Sequence, residues 1–368
     1  MIRMLSPALL PLLLFACDTK EDTGGPFGTS DTTAGSDSST DSADSADSAD
    51  SADSADSADS ADTAPAPFDD VWYGLIDDEG FGTALAGDGD ALYAGAPGSG
   101  SAYLLSPSGA VEVALEGGGR LGAALALDID GVLWAGAPLS GVGGALVSDG
   151  ATVSGAPGAV LGGRLIRAGD GLASTTALGA IAGDEAIDLG VRPGGLAWLN
   201  GGLVTGTPWG AQALSWDGGA LSRPGDRDEA GYALCAVDLD GDGLEDLAVG
   251  APGAGAVYLL LGGPADQTWE AAPRLEGEGR FGHALACEAG ALHVGAPTWG
   301  DLNEGAVFSF SGGSSEAVDG WSAAAPDYTG SGQGDGLGWS LLVAGDALYA
   351  GAPGDATSAG RVARLTRD

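Results

Sequence analysis

From about Val71 to its last residue the chain alternates short apolar runs with glycine-rich polar breaks. No stretch sustains the 3.6-residue period of an amphipathic helix. An apolar strand ending in Gly-Ala-Pro recurs as ALYAGAP (91–97), VLWAGAP (132–138), LAVGAP (247–252), ALHVGAP (291–297) and ALYAGAP (347–353). LVTGTP (203–208) is a sixth copy and LASTTA (172–177) a degraded seventh. Gly155-Ala156-Pro157 lacks a matching strand pair on either side and is read as a chance match.

Ahead of each copy stands a second signature, an apolar residue or glycine, then glycine, then a short strand. It occurs at Phe81-Gly82, Leu121-Gly122, Leu161-Gly162, about Gly194-Gly195, Ala230-Gly231, Phe281-Gly282 and Leu337-Gly338. Behind each copy comes a glycine and an alternating strand such as AVYLL (256–260), then a fourth run such as AVEVAL (110–115). Four short antiparallel strands per unit follow. The 298 residues from 71 to 368 divide into seven units of about 43, the size of a four-stranded propeller blade. The fold class expected is all-β, a seven-bladed β-propeller. The last unit stops after its third strand, RVARL (361–365), while FDDVWYGLI (68–76) precedes the first unit with no strands of its own. This N-terminal run is therefore expected to supply the outer strand of the final blade, leaving no open seam.

The first 67 residues have a different character. Met1 to Ala16 carries one charge, Arg3, ahead of an apolar stretch too short to span a bilayer, and reads as a secretory signal at 1–16. Leu14-Phe15-Ala16-Cys17 resembles the bacterial lipobox, with Phe15 larger than usual for that family; the resemblance implies acylation of Cys17. From 17 to 67 large apolar residues are nearly absent, and Asp-Ser-Ala repeats seven times from 41 to 61. Such a segment cannot bury a core and reads as a disordered acidic linker. The organisation expected is signal 1–16, lipidated N-terminus and linker 17–67, and propeller 68–368. The protein would be exported across the inner membrane and lipid-anchored to the envelope, at the outer membrane or cell surface, with no other segment able to cross a membrane.

Net charge is −39. Residues 71–368 hold 37 acids and 11 arginines, a balance of −26. A surface this acidic, without a basic stripe, repels phosphate backbones, which argues against nucleic-acid partners and in favour of cations.

The order Phe-Gly, acidic loop, Val-Gly-Ala-Pro, Gly-x-Val-Tyr resembles the FG-GAP repeat of integrin-α propellers and related bacterial surface proteins. One repeat matches fully, with Asp238-Leu239-Asp240-Gly241-Asp242-Gly243-Leu244-Glu245-Asp246 as its loop and Gly250-Ala251-Pro252 closing its second strand. The resemblance implies calcium binding there. The chemistry agrees: calcium takes six to eight oxygens, and Asp238, Asp240, Asp242 and Asp246, with the Leu244 carbonyl, offer them if Gly243 lets the chain turn tightly. The corresponding breaks at 87–90, 128–131, 288–290 and 345–346 are hairpin turns too short to wrap an ion. One Ca2+ site is expected.

Cys235 and Cys287 lie in consecutive repeats at inequivalent offsets, so a disulfide and two buried thiols both remain open. The two histidines, His283 and His293, are read as structural, and no nucleophile triad is present. Trp209, Trp216, Trp269, Trp299, Trp321 and Trp339 offer either a contact face or filling between blades. The functional expectation is a non-catalytic, calcium-binding recognition or adhesion module, monomeric, with a protein or glycan ligand at the cell surface and contact with the membrane through its lipid only. The alternatives are a hydrolase or lyase at the propeller mouth, which would gather several acids around an arginine or His283, and a purely structural envelope protein.

Overall fold

The computed structural model describes residues 70–365, apart from 184, 218, 266, 313, 315–317, 319, 323–324 and 355–358. The signal at 1–16, the acylation site Cys17 and the linker at 17–67 lie outside the described residues. Within 70–365 no helix is long and apolar enough to cross a membrane.

The chain forms β1 (Asp70–Tyr73) and then seven four-stranded sheets. Blade 1 is β2 (Ala84–Gly87), β3 (Leu92–Ala96), β4 (Ser101–Leu105) and β5 (Val111–Glu116); blade 2 is β6 (Ala124–Leu127), β7 (Leu133–Ala137), β8 (Ala145–Ser148) and β9 (Ala151–Ser154). Blade 3 is β10 (Leu165–Ala168), β11 (Gly171–Thr175), β12 (Gly179–Ala182) and β13 (Glu185–Asp188); blade 4 is β14 (Leu196–Leu199), β15 (Gly202–Gly206), β16 (Gln212–Trp216) and β17 (Gly219–Ser222). Blade 5 is β18 (Ala233–Val237), β19 (Asp246–Ala251), β20 (Ala256–Leu260) and β21 (Arg274–Glu276); blade 6 is β22 (Ala284–Glu288), β23 (Ala291–Ala296), β24 (Ala306–Ser311) and β25 (Tyr328–Thr329). Blade 7 is β26 (Ser340–Ala344), β27 (Ala347–Ala352) and β28 (Arg361–Leu365), completed by β1.

Every blade is an antiparallel meander, and the first strand of each packs against the first strand of the next, with β26 returning to β2. The ring is closed. Its seam is where the N-terminal run was expected: Asp70, Val71, Trp72 and Tyr73 pair with Arg364, Ala363, Val362 and Arg361. Trp72 fixes this strand in place. Its ring is buried with Phe81, Leu92 and Tyr103 of blade 1, and its indole N–H donates to the Ser106 carbonyl at 2.8 Å. One side chain thus ties the last blade to the first.

The Gly-Ala-Pro glycines have a steric reason. Gly95, Gly136, Gly206, Gly250, Gly295 and Gly351 each face the glycine of the next blade's second signature, so closely that a methyl group would overlap its carbonyl oxygen. Gly351 of blade 7 meets Gly82 of blade 1 in the same way, so the contact runs across the seam. Blade 3 is the exception, with Thr175 in this place, and its hydroxyl accepts the Arg164 N–H at 2.9 Å. In the other strands the core is mostly alanine, leucine and valine, layered between successive blades.

Cys235 of β18 and Cys287 of β22 form a disulfide across blades 5 and 6, with Cα atoms 6.1 Å apart. The different offsets are absorbed because the two strands run side by side with their own registers. Of the two possibilities left open by the spacing, the bridge is the one realised.

Candidate functional site

The first strand of each blade runs from one face of the ring to the other, so a blade presents one set of loops at the strand's start and another at its end. In blade 5 each end carries chemistry.

At the far end of β18 lies the acidic loop. Asp246, fully buried at the start of β19, accepts the N–H groups of Leu239 at 2.7 Å and Asp240 at 3.3 Å on one oxygen, and Gly262 at 2.7 Å on the other. Asp238 accepts from Gly241 at 2.6 Å and Gly243 at 3.0 Å. Gly241 and Gly243 both take positive φ, which gives the tight turn that the sequence required of Gly243. Leu239 anchors the loop in the core between blades 5 and 6, and Glu245 accepts an N–H from Asn200 of blade 4. The loop is therefore held from within and from both sides.

The result is that Asp238, Asp240 and Asp246 each place a carboxylate oxygen within 4.8 Å of the others. Among the described residues it is the one such group of three acids. Asp242 is not part of this group of three: its carboxylate accepts the Leu244 N–H at 2.8 Å, and Asp242 and Leu244 are both exposed. Burial pushes the Asp246 carboxyl above its ordinary range; the N–H groups of Gly262 and Leu239 pull it back, and the negative charge of Asp240 pushes it up again. A cluster of oxygen donors whose charges oppose one another fits a hard divalent cation such as calcium. In the shorter turns the acids are taken up by the protein itself. Asp88 caps the N–H groups of Asp90 and Ala91, and Asp128 those of Asp130 and Val132 together with the Trp134 indole.

At the other end, all seven first strands line one pocket on the propeller axis, about 180 Å³ in volume. Its rim holds Thr83, Ala123, Arg164, Tyr232, His283 and Trp339. Tyr232 is the centre of a cluster. Its hydroxyl shares a hydrogen bond with His283 Nε2 at 3.1 Å, its ring lies edge-on to Trp209 at 6.1 Å, and the Arg164 and Arg280 guanidinium groups sit over it at 5.4 and 5.6 Å. His283 also packs against the Trp339 ring, tilted by 51° with centroids 4.7 Å apart. Arg280 is bound by Glu229 at 2.7 Å. Burial first, and then the Arg164 and Arg280 charges, push the His283 pKa down to about 3, so the ring is neutral. His293, in contrast, is a strand residue, bonded to Ser309 at 2.9 Å, with its pKa pushed down by burial to about 4.

The six tryptophans divide. Trp216, Trp269, Trp299 and Trp321 pack against the cores between blades, and Trp209 and Trp339 remain 53% and 42% exposed beside the pocket. Arg164, Tyr232 and Arg280 were not singled out from the sequence. The available signal was positional: Tyr232, His283 and Trp339 each directly follow the second-signature glycine, and Arg164 comes two residues after Gly162.

Seven closed blades with an acidic loop between the first two strands of blade 5 define the class, a seven-bladed β-propeller carrying an FG-GAP repeat. Residues 230–260 match the FG-GAP repeat family model, and the chain is integrin-α-like in this region. It is 38% identical over 106 residues to integrin alpha-PS2 of Drosophila melanogaster, covering 22% of this chain and 8% of that one. To integrin alpha-5 of Xenopus laevis it is 35% identical over 106 residues, covering 22% and 10%. The chain thus spans a tenth or less of the length of these relatives. Among solved structures, a chain in the Mitotic Checkpoint Complex superposes with a TM-score of 0.55 at 14% identity, covering 87% of this chain and 97% of that one. Virginiamycin B lyase from Staphylococcus aureus gives 0.54 at 11% identity, covering 81% and 99%. At such identities the likeness concerns the fold alone.

Proposed function

We propose that this chain is a calcium-binding, non-catalytic recognition or adhesion module, carried on a lipid anchor at Cys17 and an acidic spacer at the cell envelope. The observation that supports it most directly is the convergence of Asp238, Asp240 and Asp246 in the one loop that matches the FG-GAP repeat. These three residues would hold the ion, with Asp242 and the Leu244 carbonyl close along the chain to complete the shell. The ion would neutralise a buried charge cluster and clamp β18 to β19. The integrin likeness supports recognition or adhesion, with the axial face as the contact surface, a protein or glycan as partner, and the monomer as the working unit. A hydrolase or lyase asks for several acids beside an arginine or His283. Glu229 is the acid found there among the described residues, and Arg280 already binds it, so the non-catalytic reading is preferred.

The test is thermal unfolding of the full chain with added calcium. At a hundredfold excess over Kd, binding to the folded state alone stabilises by about 2.7 kcal/mol, and Asp240→Ala should abolish the rise. A wild-type melting temperature indifferent to calcium overturns the metal assignment. Partition into detergent that persists in Cys17→Ala overturns the anchor, and saturable turnover of an ester or glycoside panel overturns the non-catalytic reading.

A further inference from the structure

The axial rim is chemically out of place on its own domain. Residues 71–368 carry a balance of −26, yet Arg164 is exposed at the rim and has no salt-bridge partner among the described residues. Of the arginines without a salt bridge among the described residues, Arg164 is the one that lines the concave axial pocket, where its uncompensated charge leaves a positive spot for an anionic group. On the same face Trp209 stands edge-on to Tyr232 and Trp339 lies beside His283, and both stay about half exposed although four other tryptophans are packed between blades. Between them stands His283, 5% exposed, its Nε2 sharing a hydrogen bond with the Tyr232 hydroxyl.

We propose that the axial mouth binds a carboxylate-bearing saccharide, with Arg164 pairing with the carboxylate and Trp339 and Trp209 stacking on the C–H faces of the sugar. The assignment rests on the reading of the chain as a recognition module and names its ligand class. A planar guanidinium matches a carboxylate with two parallel hydrogen bonds. Exposed indole rings supply broad apolar area beside a polar edge, which suits a pyranose. The Thr83 and Ser340 hydroxyls donate to the backbone at 2.6 and 2.7 Å and keep lone pairs for sugar hydroxyls, and the Tyr232 hydroxyl lines the same pocket as Arg164. A single carboxylate also suits the surroundings better than a phosphate dianion, because every extra negative charge on the ligand meets the repulsion of the whole domain.

The experiment is calorimetric titration of the full chain with a glucuronate-containing tetrasaccharide, the same tetrasaccharide with its carboxylates reduced to alcohols, and an aspartate-bearing pentapeptide. The acidic tetrasaccharide should bind saturably, and both carboxylate reduction and Arg164→Gln should weaken it roughly tenfold or more. Trp339→Ala should weaken it about fivefold. Both side chains are exposed, and circular dichroism of the two variants should match the wild type. No binding of the acidic tetrasaccharide, equal binding of its reduced form, tighter binding of the pentapeptide, or an unchanged Kd in Arg164→Gln each overturns the proposal. A glycan and cell-surface binding panel run on wild type and Arg164→Gln separates the two levels. Binding that is indifferent to Arg164 removes the mouth and leaves the recognition module standing, whereas no binding to any surface removes both.

Discussion

Adding one methyl group at Gly206 tests the inter-blade contact most directly. A Cβ there would lie 2.7 Å from the Gly231 carbonyl carbon and 2.8 Å from its Cα, with the carbonyl oxygen nearer still. Carbon atoms in ordinary contact are about 3.5–4.0 Å apart, so blades 4 and 5 must separate locally by about 1 Å. The obstacle is backbone held in two sheets and cannot swing aside. Overpacking costs about 1–3 kcal/mol, and this site belongs at the upper end, about 3 kcal/mol. With an unfolding entropy of about 2.1 cal/mol/K per residue over roughly 300 residues, Gly206→Ala should lower the melting temperature by about 5 °C. Gly171→Ala is the matched control. It also lies in a second strand, its φ is not in the left-handed region, and a Cβ would meet nothing nearer than the Ala168 carbonyl at 3.9 Å. Lower unfolded-state entropy should make it neutral or stabilising by about 0.5 kcal/mol. Scanning calorimetry of both variants decides the matter: equal melting temperatures would mean that the glycine contact does not set the spacing between blades.

Three further outcomes follow from the fold. Replacing both Cys235 and Cys287 by serine releases a closed loop of 52 residues, for which chain entropy gives a loss of up to about 4 kcal/mol; urea denaturation reads it, and an unchanged midpoint refutes the contribution. Trp72→Ala removes the side chain that joins β1 to blade 1 and should cost about 3–5 kcal/mol, with hydrogen exchange rising first in β28 and β1; protection unchanged in those strands would refute the closure. Because burial lowers the pKa of His283 to about 3 and of His293 to about 4, the unfolded chain takes up protons that the folded one refuses. The stability they permit is therefore complete above about pH 6.5 and is lost as pH falls toward 4, by up to about 1.4 kcal/mol per pH unit for each ring. Urea midpoints from pH 7.5 to 4.5 should show a shallower slope in His283→Gln, and an identical slope refutes the assignment.

The repeat, the number of blades and the closing strand were legible in the amino-acid order because each is written locally. A blade is one hairpin-linked unit, its glycines recur wherever backbones meet, and an unpaired strand at each end of the array has one partner left to take. The acidic loop was legible for the same reason, since nine consecutive residues contain it. What needed the tertiary structure was everything assembled from different blades. Within the loop, Asp238, Asp240 and Asp246 of the expected set converge, while the Asp242 carboxylate accepts the Leu244 N–H, a choice that depends on how the turn closes rather than on the order of residues. The offsets of Cys235 and Cys287 left their pairing open until β18 and β22 were placed side by side. Most of all, Arg164, Tyr232, His283 and Trp339 stand dozens of residues apart in the chain and meet because each opens the first strand of a different blade. Periodicity determines that such positions correspond; only closure of the ring turns correspondence into contact.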